Sequence, residues 1–125
     1  MSLKHSFAVR LKDSLLFFAI WDILPGETLD NAIERIEFSR PVFASAGHLD
    51  VVLGMLRNRR LKLKGWRTLF GVGEKCRMPL GNGALEGVCG LDVRGKSIWI
   101  YRGSCVPTRQ SGVLVFVAER PATKV

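Results

Sequence analysis

Apolar positions along the chain change their period several times, and each change predicts an element. From Ser6 to Leu11, Phe7, Val9 and Leu11 alternate with Ala8 and Arg10, the period of two that marks a half-buried strand. Lys12-Asp13-Ser14 supplies turn chemistry, and the run Leu15 to Trp21 that follows is apolar on both faces, so a hairpin is expected whose second strand lies inside a sheet. Pro25-Gly26 breaks the chain. Leu29, Ala32, Ile33 and Ile36 then recur at the i, i+3, i+4, i+7 spacing of one helical stripe, with Thr28 as N-cap and Pro41 at or just past the end. After Ser45, a second cap, Leu49, Val52, Leu53 and Leu56 repeat that spacing, with Asp50 near the favourable first turn and a basic far end.

Beyond Leu61 the texture is that of strands joined by tight turns or bulges. Ten of the 13 glycines lie between Gly65 and Gly112, interleaved with short β-rich runs. Strands are expected at Thr68–Val72, Leu85–Val93, Ser97–Arg102 and Val113–Glu119. Val93-Arg94-Gly95-Lys96 reads as a hairpin turn with glycine where a positive φ is needed, and Val113 to Ala118 is a second run apolar on both faces. The order of elements, a hairpin (1–24), two helices (28–60) and a β-rich basic part (66–120), predicts one α+β domain over residues 1–125. Its sheet is mostly antiparallel, made of the N-terminal hairpin and the C-terminal strands, with the two helices packed on a face of it.

Composition fits that reading: 125 residues suit one domain, and 47% apolar with 24% charged residues argues against disorder, collagen or a coiled coil. Charge adds more. The 19 Lys and Arg against 11 Asp and Glu give a net +8, and they are unevenly spread. Residues 1–50 hold five cations against seven acids, whereas residues 51–125 hold fourteen against four. A chain mildly acidic in front and strongly basic behind suggests one face built to meet a polyanion.

Other chemistry is sparse. Cys76, Cys89 and Cys105 are separated by twelve and fifteen residues with no C-x-x-C pair, which is neither a zinc spacing nor a disulfide framework; free thiols in a reducing compartment, hence the cytoplasm, are expected. The apolar run after Lys4, His5, Arg10 and Lys12 imitates a signal peptide, but Asp13 and Asp22 bracket it and seven apolar residues fall far short of a roughly 20-residue span, so no membrane segment is expected. Gly71-Val72-Gly73-Glu74-Lys75 lacks the spacing of a dinucleotide fingerprint or a phosphate loop. With two histidines, His5 and His48, and no local catalytic pattern, neither a metal site nor a cofactor is expected, and His48 reads as a first-turn capping residue.

Two segments carry the functional reading. Arg57-Asn58-Arg59-Arg60-Leu61-Lys62-Leu63-Lys64-Gly65-Trp66-Arg67 places six cations in eleven residues without an acid. Arg57, Arg59 and Arg60 gain from a helix C-terminus, but Lys62, Lys64 and Arg67 do not, and an extended run would aim Lys62 and Lys64 outward while Leu61 and Leu63 anchor it. Such a ridge complements phosphates, with Trp66 nearby for stacking. The second segment is Arg94 to Arg102. Period-two geometry sets Trp99 and Tyr101 on one face and Ile98 and Ile100, with Arg94, Lys96 and Arg102, on the other, so buried isoleucines would leave Trp99 and Tyr101 as a base-stacking platform.

A family resemblance adds an alternative. The stretches Met78-Pro79-Leu80-Gly81-Asn82-Gly83, Leu91-Asp92-Val93-Arg94, Val113-Leu114-Val115-Phe116-Val117-Ala118 and the Arg120-Pro121-Ala122-Thr123-Lys124 tail resemble the RelE-like ribosome-dependent ribonuclease toxins over somewhat more than a third of the chain. The resemblance implies a small ribonuclease in which Arg94, Arg102 and Lys124 hold the scissile phosphate. The opening hairpin departs from that family, whose chains usually begin with one strand and a helical hairpin.

The leading expectation is a non-enzymatic domain that contacts the phosphate backbone of nucleic acid, RNA ahead of DNA, as a component of a nucleoprotein assembly. Arg57, Arg59, Arg60, Lys62, Lys64, Arg67, Arg94, Lys96 and Arg102 would meet phosphates, and Trp66, Trp99 and Tyr101 would stack. Two strands apolar on both faces in so short a chain suggest that a second copy or a protein partner covers part of the sheet. The alternatives are the ribonuclease, and a viral or mobile-element interaction protein that docks its basic face on an acidic partner.

Overall fold

The computed structural model describes residues 4–73, 77–80 and 85–122, and among them lie two helices and one eight-stranded sheet. In chain order the elements are β1 (Lys4–Arg10), β2 (Ser14–Asp22), α1 (Leu29–Glu37), β3 (Val42–Phe43), α2 (Ala46–Arg57), β4 (Thr68–Gly71), β5 (Arg77–Leu80), β6 (Leu85–Asp92), β7 (Ser97–Arg102) and β8 (Ser111–Pro121). The expected α+β class with a mostly antiparallel sheet is what the chain adopts.

Strand order explains the two apolar runs. β2 is paired along its length with β1 on one edge and β8 on the other, and β8 is held by β2 on one side and by β4 and β3 on the other. Both are therefore interior strands that bury Phe18, Ile20, Val113 and Leu114 almost completely. β4 with β8 is the one parallel pair among the described residues, running side by side from Thr68 to Phe70, while the other edge of β4 binds β6 antiparallel. β7 then extends the sheet beyond β6.

Each helix has the stripe its spacing predicts. Leu29, Ala32, Ile33 and Ile36 of α1 are buried, and Thr28 Oγ1 accepts from the Asn31 N–H at 3.1 Å as the N-cap. α1 ends at Glu37, earlier than Pro41 alone would require, with Phe38 as its C-cap. In α2 the buried residues are Leu49, Val52, Leu53 and Leu56. Its cap is reciprocal: Ser45 Oγ accepts from the His48 N–H at 3.2 Å, and His48 Nδ1 accepts from the Ser45 N–H at 3.1 Å. Asp50 lies beyond the first turn, so the dipole contact expected of it is not made.

The helices do not share a face. α2 joins Phe18, Ile20, Leu69, Leu91 and Leu114 in one cluster, while α1 joins Phe70, Val72, Val88 and Val113 in another, so the sheet is covered by one helix on each side. Neighbouring residues of β4, Leu69 and Phe70, point to opposite clusters, as the pleat demands. The expectation that both helices sit on one face is corrected accordingly. Residues buried on both faces are covered within a single chain, so the two apolar strands need no second copy to cover them.

Two strands were not expected. β3 is two residues long, held on β8 by the pairs Val42 with Phe116 and Phe43 with Val115, which is too short to leave a period. β5 contains Pro79 and pairs only with β6, a position at the margin of a sheet where a missing N–H is tolerated. The remaining strands fall within two residues of their expected bounds.

Candidate nucleic-acid interface

The basic surface is organised by the C-terminus of α2. Asn58 caps the helix, the Arg59 N–H donates to the Leu56 carbonyl at 3.2 Å, and the Arg60 N–H donates to the Met55 carbonyl at 2.9 Å. These two bonds form a Schellman motif, which requires a left-handed residue after the cap, and Arg59 fills that place at φ 58°. The chain from Asn58 to Trp66 then lies on the α2 side of the sheet with alternating exposure. Leu63 is buried and Leu61 half-buried, whereas Lys62 and Lys64 are exposed. The ridge read from the alternation is present.

Two grooves flank this segment. One, of about 580 Å³, is lined by Arg59, Lys62, Lys64, Arg94 and Lys96 over Leu56, Leu61, Leu63, Trp66 and Val93. The other, of about 570 Å³, is lined by Arg10, Lys12 and Arg60 with Met55, Leu61 and residues of β1. Leu61 belongs to both. No carboxylate lines either groove, and none of the six mid-chain cations forms an ion pair among the described residues. Arg10 and Lys12 come from the acidic front of the chain; their part in this surface is set by the β1–β2 turn and left no trace in the local sequence.

The opposite wall of the first groove is the turn between β6 and β7. Asp92 Oδ1 accepts from the N–H groups of Arg94 and Gly95, at 3.2 and 3.1 Å, which fixes the tip. The positive φ expected at Gly95 belongs instead to Lys96, at 52°. Glycine at 95 leaves room for the Asp92 carboxylate, since a Cβ there would stand 2.5 Å from Asp92 Oδ2 and displace it. Arg57 ties the two walls together, its guanidinium donating to the Lys96 carbonyl from Nε at 3.2 Å and Nη2 at 3.0 Å.

Of the other expected site residues only Trp66 lines a groove; Arg67, Trp99, Tyr101 and Arg102 line neither. Arg67 is exposed at the start of β4, where its backbone bridges Gln110 and Val93. Trp66 is half-buried; its ring lies where a side chain at Gly112 would be and near the His5 ring, at 6.5 Å between centroids. Tyr101 is packed edge-on against Phe70, 5.1 Å between centroids, above the space left by Gly90, and burial pushes its phenol pKa up. Trp99, 59% exposed, projects from the same face as Tyr101, while Ile98 packs on the α2 side. The pairing of Trp99 and Tyr101 as a platform is thus corrected: β7 is an edge strand, Tyr101 is drawn into the α1-side core, and Trp99 remains alone on the face away from the grooves.

Arg94 and Arg102 stand at opposite ends of β7, with about 17 Å of extended strand between Ser97 and Arg102 alone. They do not converge on one phosphate, and Lys124 and part of the 78–83 stretch lie outside the described residues. Cys89 is buried and free, and Cys105 is half-buried and free with its thiol pKa raised by burial, so neither has the environment of an activated nucleophile; Cys76 lies outside the described residues. No group of three or more His, Cys, Asp or Glu among the described residues could hold a metal ion, and no helix there is long and apolar enough to cross a membrane. Comparison with known protein families, with characterised proteins and with solved structures finds no match. The functional reading therefore rests on the geometry of this basic surface.

Proposed function

We propose that the domain binds nucleic acid through the phosphate backbone, RNA ahead of DNA, as a non-enzymatic component of a nucleoprotein assembly. One observation carries this reading: eight cations from three separate segments, Arg10 and Lys12, Arg59 to Lys64, and Arg94 and Lys96, surround two adjoining grooves lined by no carboxylate among the described residues. Charges gathered at this density repel one another, and a polyanion relieves that repulsion while shedding its own counterions. The free thiols of Cys89 and Cys105 fit a cytoplasmic setting. The outer edges of β1 and β7, unpaired among the described residues, are where a partner strand or subunit of the assembly would add.

The test is a titration of labelled 12-mers against salt. If all eight cations neutralise phosphates, the logarithm of the association constant falls with log salt at a slope near −6 on a single strand and near −7 on a duplex. Lack of measurable binding at low salt overturns the proposal, and binding that does not respond to salt does so equally.

A further inference from the structure

The first groove differs from a bare phosphate track in its floor. Arg59, Lys62, Lys64, Arg94 and Lys96 form the rim, but Leu61 and Trp66, both only half-buried, line the same groove. A duplex hides its bases and presents phosphates, so it would engage the rim and leave the floor wet. An unpaired nucleotide offers both parts at once: a flat apolar base for the floor and a phosphate on each side for the rim. Base stacking on an aromatic ring is tolerant of sequence, and the rim provides charge without a hydrogen-bond array to read base edges. The rim also shows where its strain is spent. Arg59 and Lys96 both occupy the left-handed region, at φ 58° and 52°, where glycine would fit more easily, and both hold cations over this groove from opposite walls.

From this we infer that the groove between the 59–66 segment and the β6–β7 turn takes an unpaired nucleotide of a single strand, its base against Trp66 and Leu61 and its flanking phosphates on the five rim cations. This inference rests on the phosphate-binding proposal and narrows it: the domain distinguishes single strands from duplexes.

The experiment compares four probes of equal length at equal salt: single-stranded rU12 and dT12, a fully abasic 12-mer that keeps the deoxyribose-phosphate backbone, and the dT12·dA12 duplex. The expected result is tighter binding of rU12 and dT12 than of the abasic strand or the duplex, by about tenfold or more, which is the contribution of one stacked base. Trp66→Leu should lower affinity for dT12 while leaving the abasic strand unchanged. Leu61→Asn is expected to behave in the same way, and in each variant the abasic probe reports whether the fold and the rim survive. Equal affinity for dT12 and the abasic strand overturns the inference but leaves the phosphate proposal standing. Failure of all four probes to bind at low salt overturns both.

Discussion

Replacing Arg59 and Lys96 by glycine separates stability from binding, because both residues sit in a conformation that suits glycine and both line the same groove. A non-glycine residue in the left-handed region is destabilised by roughly 1 kcal/mol or more. Glycine removes that strain but gives the unfolded chain more freedom, an effect of about 0.4–1 kcal/mol in the other direction. Loss of the Arg59 charge beside the C-terminus of α2 subtracts a further ~0.3 kcal/mol. The backbone bonds at both sites are kept, since the Arg59 N–H and the Lys96 carbonyl need no side chain. With about 1–2 kcal/mol of strain at each residue, the sum for the double variant runs from about zero to about 3 kcal/mol of added stability, so urea midpoints should stay level or rise.

Binding should respond oppositely. Two phosphate contacts fewer flatten the salt slope on a single strand by about 1.4 and weaken affinity at every salt concentration. Arg40 and Gln110 supply the control: they also have positive φ, 52° and 66°, but line neither groove, so glycine there should reproduce the effect on stability with no effect on binding. A loss of stability above about 2 kcal/mol for Arg59→Gly with Lys96→Gly, or an unchanged salt slope, would refute the reasoning.

Further outcomes follow from the two cores. Gly90→Ala would place a Cβ 2.5 Å from Tyr101 Cε2 and 3.2 Å from Phe70, so it should destabilise by about 1–3 kcal/mol in urea melts, while Tyr101→Ala combined with it should recover part of that loss. Ser111 is buried and its hydroxyl has no partner among the described residues, so Ser111→Ala should be neutral or stabilising by about 1 kcal/mol; a clear loss would show that the hydroxyl is bonded. Stability should fall with pH in two stages. Burial holds His48 below its usual 6.5, against an opposing pull from Glu119, and its Nδ1 must stay unprotonated to cap Ser45; stability is therefore full above pH 6.5, declines as pH drops below it, and levels off once the folded-state value is passed. The Arg35 guanidinium, bonded bidentately to Glu27 at 2.8 and 2.9 Å, lowers the Glu27 carboxyl below 4.5, so a second loss begins near pH 4.5 and is absent in Glu27→Gln. A His48→Gln variant that keeps the upper stage would refute that assignment.

Much of the fold was legible because its determinants are local. Eight helix positions named from spacing are all buried, and both N-caps were read from a single hydroxyl residue. What escaped was long-range. Nothing near Leu29 or Leu49 states which face of a sheet each stripe will meet; that follows from the paths by which α1 and α2 connect to the sheet. Strand alternation alone does not show whether an edge strand buries one face, both or neither; for Tyr101 this is decided by Gly90, which sits opposite Trp99 in β6 and leaves the space Tyr101 fills. Arg10 and Lys12 carry no local mark of their role either, since only the turn at the end of β1 brings them to Arg60.

The basic ridge itself has a topological cause. β3 and β4 occupy the same edge of β8 but run toward each other, with Phe43 beside Val115 and Phe70 beside Val113, so the chain cannot pass from one to the other in line. It must leave the sheet after Ala44 and return at Thr68, and α2 with the 58–66 segment is that excursion, pressed onto one face by its apolar side chains. Alternation then aims whatever lies between those side chains at solvent. Three successive single variants test this directly. Leu63, 5% exposed, should lose about 2–4 kcal/mol as Leu63→Ala because it leaves a cavity under the segment. Lys62→Ala and Lys64→Ala, on either side, should change stability by less than about 0.5 kcal/mol yet each weaken binding to dT12 and flatten its salt slope by about 0.7. If stability instead falls for a lysine variant, or if Leu63→Ala costs no more than its neighbours, the segment is not anchored by its leucines and the cations are not held in the register that makes the grooves.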